Sequence, residues 1–291
     1  MTIQKSDGLW MVPAKIDNYN VVLALDTGSD DVTISEYAAT AMELPTANRG
    51  YTIHGGLGGS NLDRPVLTQH FAVGGFDMLS QIVTAGKAPI NSKISPPLVG
   101  LLGRTYLGAF DVEIDFKHSQ LALYGSRHCD EGFLPWRSPY HTLTASLRDN
   151  QAINLDVLLD GHAIKALLDT GATSTLLTTG GAQDIGLSSD DLKGSRGEKT
   201  ETSDGHGTWT HAHTFSTLKI GDLVWNAPTI DVQTPNESAS LPAGPRSKRQ
   251  IDRNPEQLIL GLDILEQYRI WISFATNQIF LMSNTDNLSP N

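Results

Sequence analysis

LALDTGSDDV (Leu23–Val32) and ALLDTGATST (Ala166–Thr175) carry the same acidic tripeptide behind the same aliphatic run, once in each half of the chain. An apolar run such as VVLALD or AIKALLD reads as a strand buried on both faces. A carboxylate at the end of such a strand is costly unless something solvates or uses it. The glycine two residues later lets the chain turn sharply and holds the acid at a loop tip. Two such loops facing each other across a pseudo-twofold axis would bring Asp26 and Asp169 together. Carboxylates that close share a proton and titrate as a pair. They can then hold one water, one acid taking its proton while the other polarises a carbonyl.

The two tripeptides head two copies of one plan. IHGGLGGS, FAVGGFDM, PLVGLLGRTYLGAFDVEIDF and QLALY follow the first. SDGHGTWTHAHTF, LKIGDLVWNAPTIDV, QLILGLDILEQYRIWISF and NQIFLM follow the second in the same order. The runs are short, rich in Val, Ile, Leu, Thr and Phe, and punctuated by Gly and Asn, which predicts strands. One short helix is expected in each half after the late glycine, over YLGAF and over DILEQY. The fold class is therefore all-β: two similar lobes with a cleft between them. The expected division is an N-terminal lobe at 1–128, a linker at 129–139 and a C-terminal lobe at 140–291, with the boundary inside GSRHCDEGFLPWRSP. Two long repeats point to a duplicated domain rather than a solenoid.

Composition narrows the partners. A chain of 291 residues can bury a core in each of two domains. A formal charge of -11 argues against a polyanion, so no nucleic acid is expected. The one basic cluster, RSKRQIDR (Arg246–Arg253), reads as a solvated loop open to proteolysis. No apolar stretch is long enough for a membrane span, and MTIQKSDGLW has no signal-peptide pattern. A soluble protein is expected, its compartment left open, a periplasmic or secreted one included. The single cysteine, Cys129, excludes an internal disulfide, and its neighbour His128 is the only hint of an activated thiol.

The paired motifs resemble the aspartic proteases of the retropepsin-like clan, here as a tandem in which one polypeptide supplies both halves. The family pattern of two apolar residues, Asp-Thr-Gly and then Ala or Ser is met by ALDTGS and LLDTGA. Its later apolar-apolar-Gly is met by LLG at Gly103 and ILG at Gly261. The resemblance implies an endopeptidase with Asp26 and Asp169 as catalytic acids, needing no cofactor or metal and complete as a monomer. It implies that Thr27 and Thr170 hydrogen-bond across the lobe interface, that Gly28 and Gly171 aim N–H groups at the carboxylates, and that Ser29 and Ala172 are small because the acids approach closely. Ser29 could also donate to its carboxylate. GRTYLG implies an ion pair of Arg104 with Asp30. LDIL after Gly261 and Thr173 in place of Asp30 imply that the second lobe lacks one.

HGGLGGS (His54, Gly55, Gly56, Leu57, Gly58, Gly59, Ser60) lacks the Lys-Ser/Thr ending of a phosphate loop. A plain linker and a hairpin tip closing over an extended peptide both remain, and the family's Gly-rich flap favours the second. Gly205, His206 and Gly207 in SDGHGTW are the second-lobe counterpart. His206, His211 and His213 could be drawn as a metal site, but no matching carboxylate or cysteine cluster accompanies them. No serine sits in a Gly-x-Ser-x-Gly elbow. The expected partner is an extended peptide or protein. A peptide-binding module of the same fold without turnover is the rival reading, with a histidine-based metal hydrolase behind it.

Overall fold

The computed structural model describes residues 1–48, 50–56, 59–125, 134–147, 152–188, 190–192, 195, 197–201, 207–234 and 256–284. Strands dominate, gathered into three sheets. The first is eight-stranded, in the order Gln4–Ser6, Leu9–Ile16, Tyr19–Leu25, Leu98–Leu102, Thr33–Ser35, Phe76–Gly86, Gly59–Val73 and Thr52–Gly56. Its Leu9–Ile16 strand also pairs with Gly59–Val73, which curls the sheet on itself. The third is ten-stranded and built from the second half of the chain. The all-β expectation holds.

The two larger sheets repeat one arrangement. In the first, Tyr19–Leu25 runs parallel to Leu98–Leu102, and the short Thr33–Ser35 runs antiparallel to the same strand on its other side. In the second, His162–Leu168 and Leu176–Leu177 flank Leu258–Leu260 in the same two senses. Each Asp-Thr-Gly thus links two strands that embrace a third. Tyr19–Leu25 and His162–Leu168 end in buried aliphatics, as expected of strands covered on both faces.

A second device recurs at the hairpins leading into those strands. Asp17 and Asp160 both occupy the left-handed region, with φ of 50° and 48°. The Asp17 carboxylate accepts from the Gln69 and His70 amides at 2.7 and 2.8 Å, and that of Asp160 from the Thr217 amide at 2.7 Å. Each aspartate therefore pins its turn to a distant strand while tolerating a positive φ that alanine resists. Asp17→Ala and Asp160→Ala are each expected to lower unfolding free energy by about 1 kcal/mol. Urea denaturation of the single variants and the double variant checks this, the losses adding because the sites are far apart.

The remaining sheet is five-stranded and joins the halves: Gln120–Gly125, Phe110–Asp115, Tyr268–Ser273, Gln278–Ser283 and His141–Thr144. At its centre Ile114 faces Ile270, both fully buried, so one apolar core runs through both halves. Buried Glu113 gathers groups from distant parts of the chain here. Arg269 reaches it at 2.7 Å, the Trp136 indole N–H donates at 2.6 Å and the Tyr124 hydroxyl at 2.7 Å. The described part of the expected linker, 134–139, has neither helix nor strand, and Trp136 fastens it to this sheet. Residues 126–133, with His128 and Cys129, and the 246–253 loop lie outside the described residues.

Among the described residues, four short helices complete the fold. Arg104–Leu107 and Leu262–Leu265 begin directly after Gly103 and Gly261, earlier than YLGAF and DILEQY suggested. Glu36–Ala41 and Thr179–Asp184 were not anticipated; their first turns are capped by the side-chain oxygens of Ser35 and Thr178. Among the described residues, no helix is long and apolar enough to cross a membrane.

Candidate active site

Both acids are held by the strand they terminate and by the strand that strand flanks. The Asp26 amide donates to Leu102 O at 3.1 Å, and the Asp169 amide to Leu260 O at 3.0 Å. The next turn is fixed the same way, Arg104 N to Ser29 O at 2.9 Å and Leu262 N to Ala172 O at 2.8 Å. Gly103 and Gly261 are required by this close approach. A methyl at Gly103 would lie 2.2 Å from Asp31 O, and one at Gly261 2.4 Å from the Ser174 carbonyl carbon.

The threonines lace the two turns together. The Thr27 hydroxyl donates to Leu168 O at 2.8 Å and accepts from the Thr170 amide at 3.0 Å. The Thr170 hydroxyl donates to Leu25 O at 2.9 Å and accepts from the Thr27 amide at 3.1 Å. Both threonines are fully buried, so each hydroxyl satisfies two backbone groups that water cannot reach.

This lacing brings the carboxyl groups of Asp26 and Asp169 close enough that each shifts the other's titration. The glycines sit crosswise. A methyl at Gly28 would lie 2.3 Å from the Asp169 carboxyl carbon, and one at Gly171 2.5 Å from that of Asp26. Asp26 is buried and accepts from the Ser29 amide at 2.8 Å. Asp169, less deeply covered, accepts from the Gly171 amide at 2.8 Å and also faces the Gly28 amide. Burial, and then the neighbouring Asp169, hold the Asp26 carboxyl well above the ordinary range. Burial raises Asp169 as well, opposed by the Gly171 amide and the other donors around it. The outcome is two acids that do not both ionise readily.

The surroundings of the pair are unequal. Arg104, buried, donates through Nη1 to Thr27 O at 2.8 Å and Gly28 O at 2.6 Å, and through Nη2 to Asp30. Buried Leu262 stands at the corresponding place in the second half, and the Thr173 methyl lies beside Gly8 of the N-terminal hairpin. Asp31 is bound by the Thr105 hydroxyl at 2.7 Å; in the second half the roles are exchanged, the Thr175 hydroxyl donating to Asp263 at 2.7 Å. Ser29 differs from expectation. Its hydroxyl donates to Asp31 O at 3.2 Å, and only its amide serves Asp26, because the turn points the side chain away from the acid.

Each half also carries a hairpin at the expected place. Thr52–Gly56 pairs with Gly59–Val73 up to Gly56 opposite Gly59, which places His54, Gly55, Gly56 and Gly59 on its strands. Gly197–Glu201 pairs with Gly207–Thr214, Glu201 opposite Gly207. Leu57, Gly58, Gly205 and His206 lie outside the described residues. His211 is engaged by Ser195, its Nδ1 3.2 Å from the hydroxyl, and the His213 ring packs edge-on against Phe215. Among the described residues no group of three or more His, Cys, Asp or Glu is placed to hold a metal ion.

What sequence reasoning missed is the crosswise placing of Gly28 and Gly171, which depends on how the halves dock. Compared with models of protein families, residues 155–264 match the one described as aspartyl protease. That span contains Asp169, Thr170, Gly171 and Gly261. A search of curated proteins returns no match.

Proposed function

From the match of residues 155–264 to the aspartyl protease family, we propose that the chain is an aspartic endopeptidase whose catalytic pair is Asp26 and Asp169. The observation that carries this reading is the crosswise approach of the two Asp-Thr-Gly turns, each glycine against the other turn's carboxyl group, with the threonines bonded reciprocally between them. The family match covers only the turn at Asp169. The first half joins it through the repeated strand arrangement and the reciprocal threonine bonds. On this reading the chain is two lobes, 1–128 and 140–291, joined by 129–139. Both acids come from one chain, so the site is complete in a monomer.

The chemistry follows from one proton shared by two acids. Burial raises both acids and the neighbouring Asp169 raises Asp26 further, whereas the Gly171 amide opposes the rise of Asp169, so the scheme is written with the shared proton on Asp26. A water between them loses a proton to Asp169 as its oxygen attacks the scissile carbonyl carbon. Asp26 passes its proton to the carbonyl oxygen. The tetrahedral adduct then collapses: one of its hydroxyls returns its proton to Asp26, the C–N bond breaks, and the departing nitrogen takes the proton held by Asp169. The hairpins of Thr52–Gly56 with Gly59–Val73 and of Gly197–Glu201 with Gly207–Thr214 act as flaps whose backbone pairs with an extended substrate.

The test is digestion of a diverse peptide mixture across pH, with cleavage sites read by mass spectrometry. The expected result is internal cleavage by the wild type and none by a doubly substituted Asp26→Asn/Asp169→Asn protein. Peptides bound but never cut at any pH would replace this reading with a binding module. Cleavage abolished by chelators but retained in the double variant would replace it with a metal hydrolase.

A further inference from the structure

The least symmetrical feature beside the pair is Arg104. Its guanidinium is buried, yet two of its contacts are neutral carbonyls, those of Thr27 and Gly28 inside the first Asp-Thr-Gly turn. It also pairs with Asp30, whose side chain is about half exposed at 49%. The second turn has an aliphatic side chain, Leu262, in the corresponding place and a threonine where Asp30 would be. Among the described residues, a fixed cation therefore lies behind one half of a site whose reacting groups are otherwise duplicated.

We propose that Arg104 is a positioning residue of the pair, a one-sided buried cation that anchors the first turn through its carbonyls and sets the pH range over which the two acids hold a single proton. This deepens the peptidase reading and rests on it. A guanidinium stays charged at every working pH, so it is a constant source of field rather than a titrating group. It favours the ionised form of any acid near it, and the low-dielectric surroundings of a buried site carry that influence farther than water does. The Arg104 charge indeed opposes the upward push of burial on Asp26 and on Asp169. Asp30 works against it, because its carboxylate cancels part of the same charge from the solvent side. The other acids around the turns are committed to hydroxyls: Asp31 to Thr105, Asp231 to Ser174 at 2.9 Å and Asp263 to Thr175. Arg104 and Asp30 thus offer two side chains through which the pair's titration can be moved without touching the pair.

Two substitutions should move it in opposite directions. Arg104→Met keeps an unbranched apolar stem and removes the charge, so both limbs of the pH profile of kcat/KM are expected to rise, by roughly half a unit or more. Asp30→Asn keeps an oxygen that can accept from Nη2 and removes the opposing charge, so both limbs are expected to fall by a smaller amount. The experiment records that profile and, in parallel, titrates 13C-labelled aspartate carboxyls by NMR in the wild type and both variants. Opposite shifts in the carboxyl titrations support the proposal. Reduced activity with unmoved limbs and unmoved titrations overturns it, leaving Arg104 as a brace. If Arg104→Met does not fold, Asp30→Asn decides alone, an unshifted titration again being fatal. A wild type that cleaves nothing ends the peptidase reading, while the carboxyl titrations still decide this one.

Discussion

Asp26→Asn and Asp169→Asn, each alone, are expected to lower kcat by roughly 10³–10⁴-fold while leaving the protein at least as stable at neutral pH. The loss is large for either acid because neither is a spare. Asparagine cannot take a proton from water, and at the other position it cannot give one to a carbonyl oxygen. The stability effect has the opposite sign, and the reason lies in burial. Both acids titrate above the ordinary value near 3.8, Asp26 well above it. Between that value and the raised one the folded protein holds more protons than the unfolded chain. The stability gained from these groups is therefore complete below about pH 3.8 and is lost as pH rises through the folded-state value. An amide does not ionise and escapes that loss, so the melting temperature of either variant should exceed that of the wild type at pH 7 and approach it near pH 4. Turnover measured beside thermal melts at the two pH values checks both halves. A single variant that keeps near-normal turnover would show that the pair does not act as a unit, however close its oxygens lie.

The same physics explains what could be read from the sequence and what could not. A carboxylate at the end of VVLALD or AIKALLD, with glycine two places on, is a local conflict between burial and charge, and local conflicts are legible. So are strand and turn signals, which is why an all-β fold with a repeated plan could be written down from the residues. The Glu36–Ala41 helix was also within reach: Ser35 before Glu-Tyr-Ala-Ala is a cap followed by good helix formers. Thr179–Asp184 was not, because Gly180 and Gly181 weaken the intrinsic preference and packing has to supply the rest. Still less legible were contacts whose partners are far apart in the chain. Gly28 against Asp169, Trp136 and Arg269 on Glu113, and Asp17 on the His70 amide exist only once the sheets have been assembled. The motif marks the two acids; docking decides how they are held.

Thr27→Val should be the most damaging single change to the fold near the site, although it alters neither size nor acid. Valine matches threonine in shape but has no hydroxyl. Two buried backbone groups would lose their partner at once, the Leu168 carbonyl and the Thr170 amide. At about 1–3 kcal/mol for each buried group left unsatisfied, the loss is about 2–6 kcal/mol. That is a large share of the roughly 5–15 kcal/mol that holds a folded protein together. Thr27→Ser is the control. It keeps the oxygen and gives up one methyl, at a cost of about 1 kcal/mol. Thr170→Val should behave like Thr27→Val, because its hydroxyl serves Leu25 O and the Thr27 amide in the same way. The double valine variant should lose less than the sum of the two. Once one hydroxyl is gone the turns can separate enough for water to reach the groups the other hydroxyl had served. Turnover should fall with the first substitution and hardly further with the second, since the spacing of the acids is set by the lacing as a whole. Chemical denaturation of the serine, single-valine and double-valine proteins, with kcat measured on each, separates the outcomes. Valine and serine variants of equal stability would mean that the threonine oxygens do not hold the halves together, and that the spacing of Asp26 and Asp169 is set by the shared sheet alone.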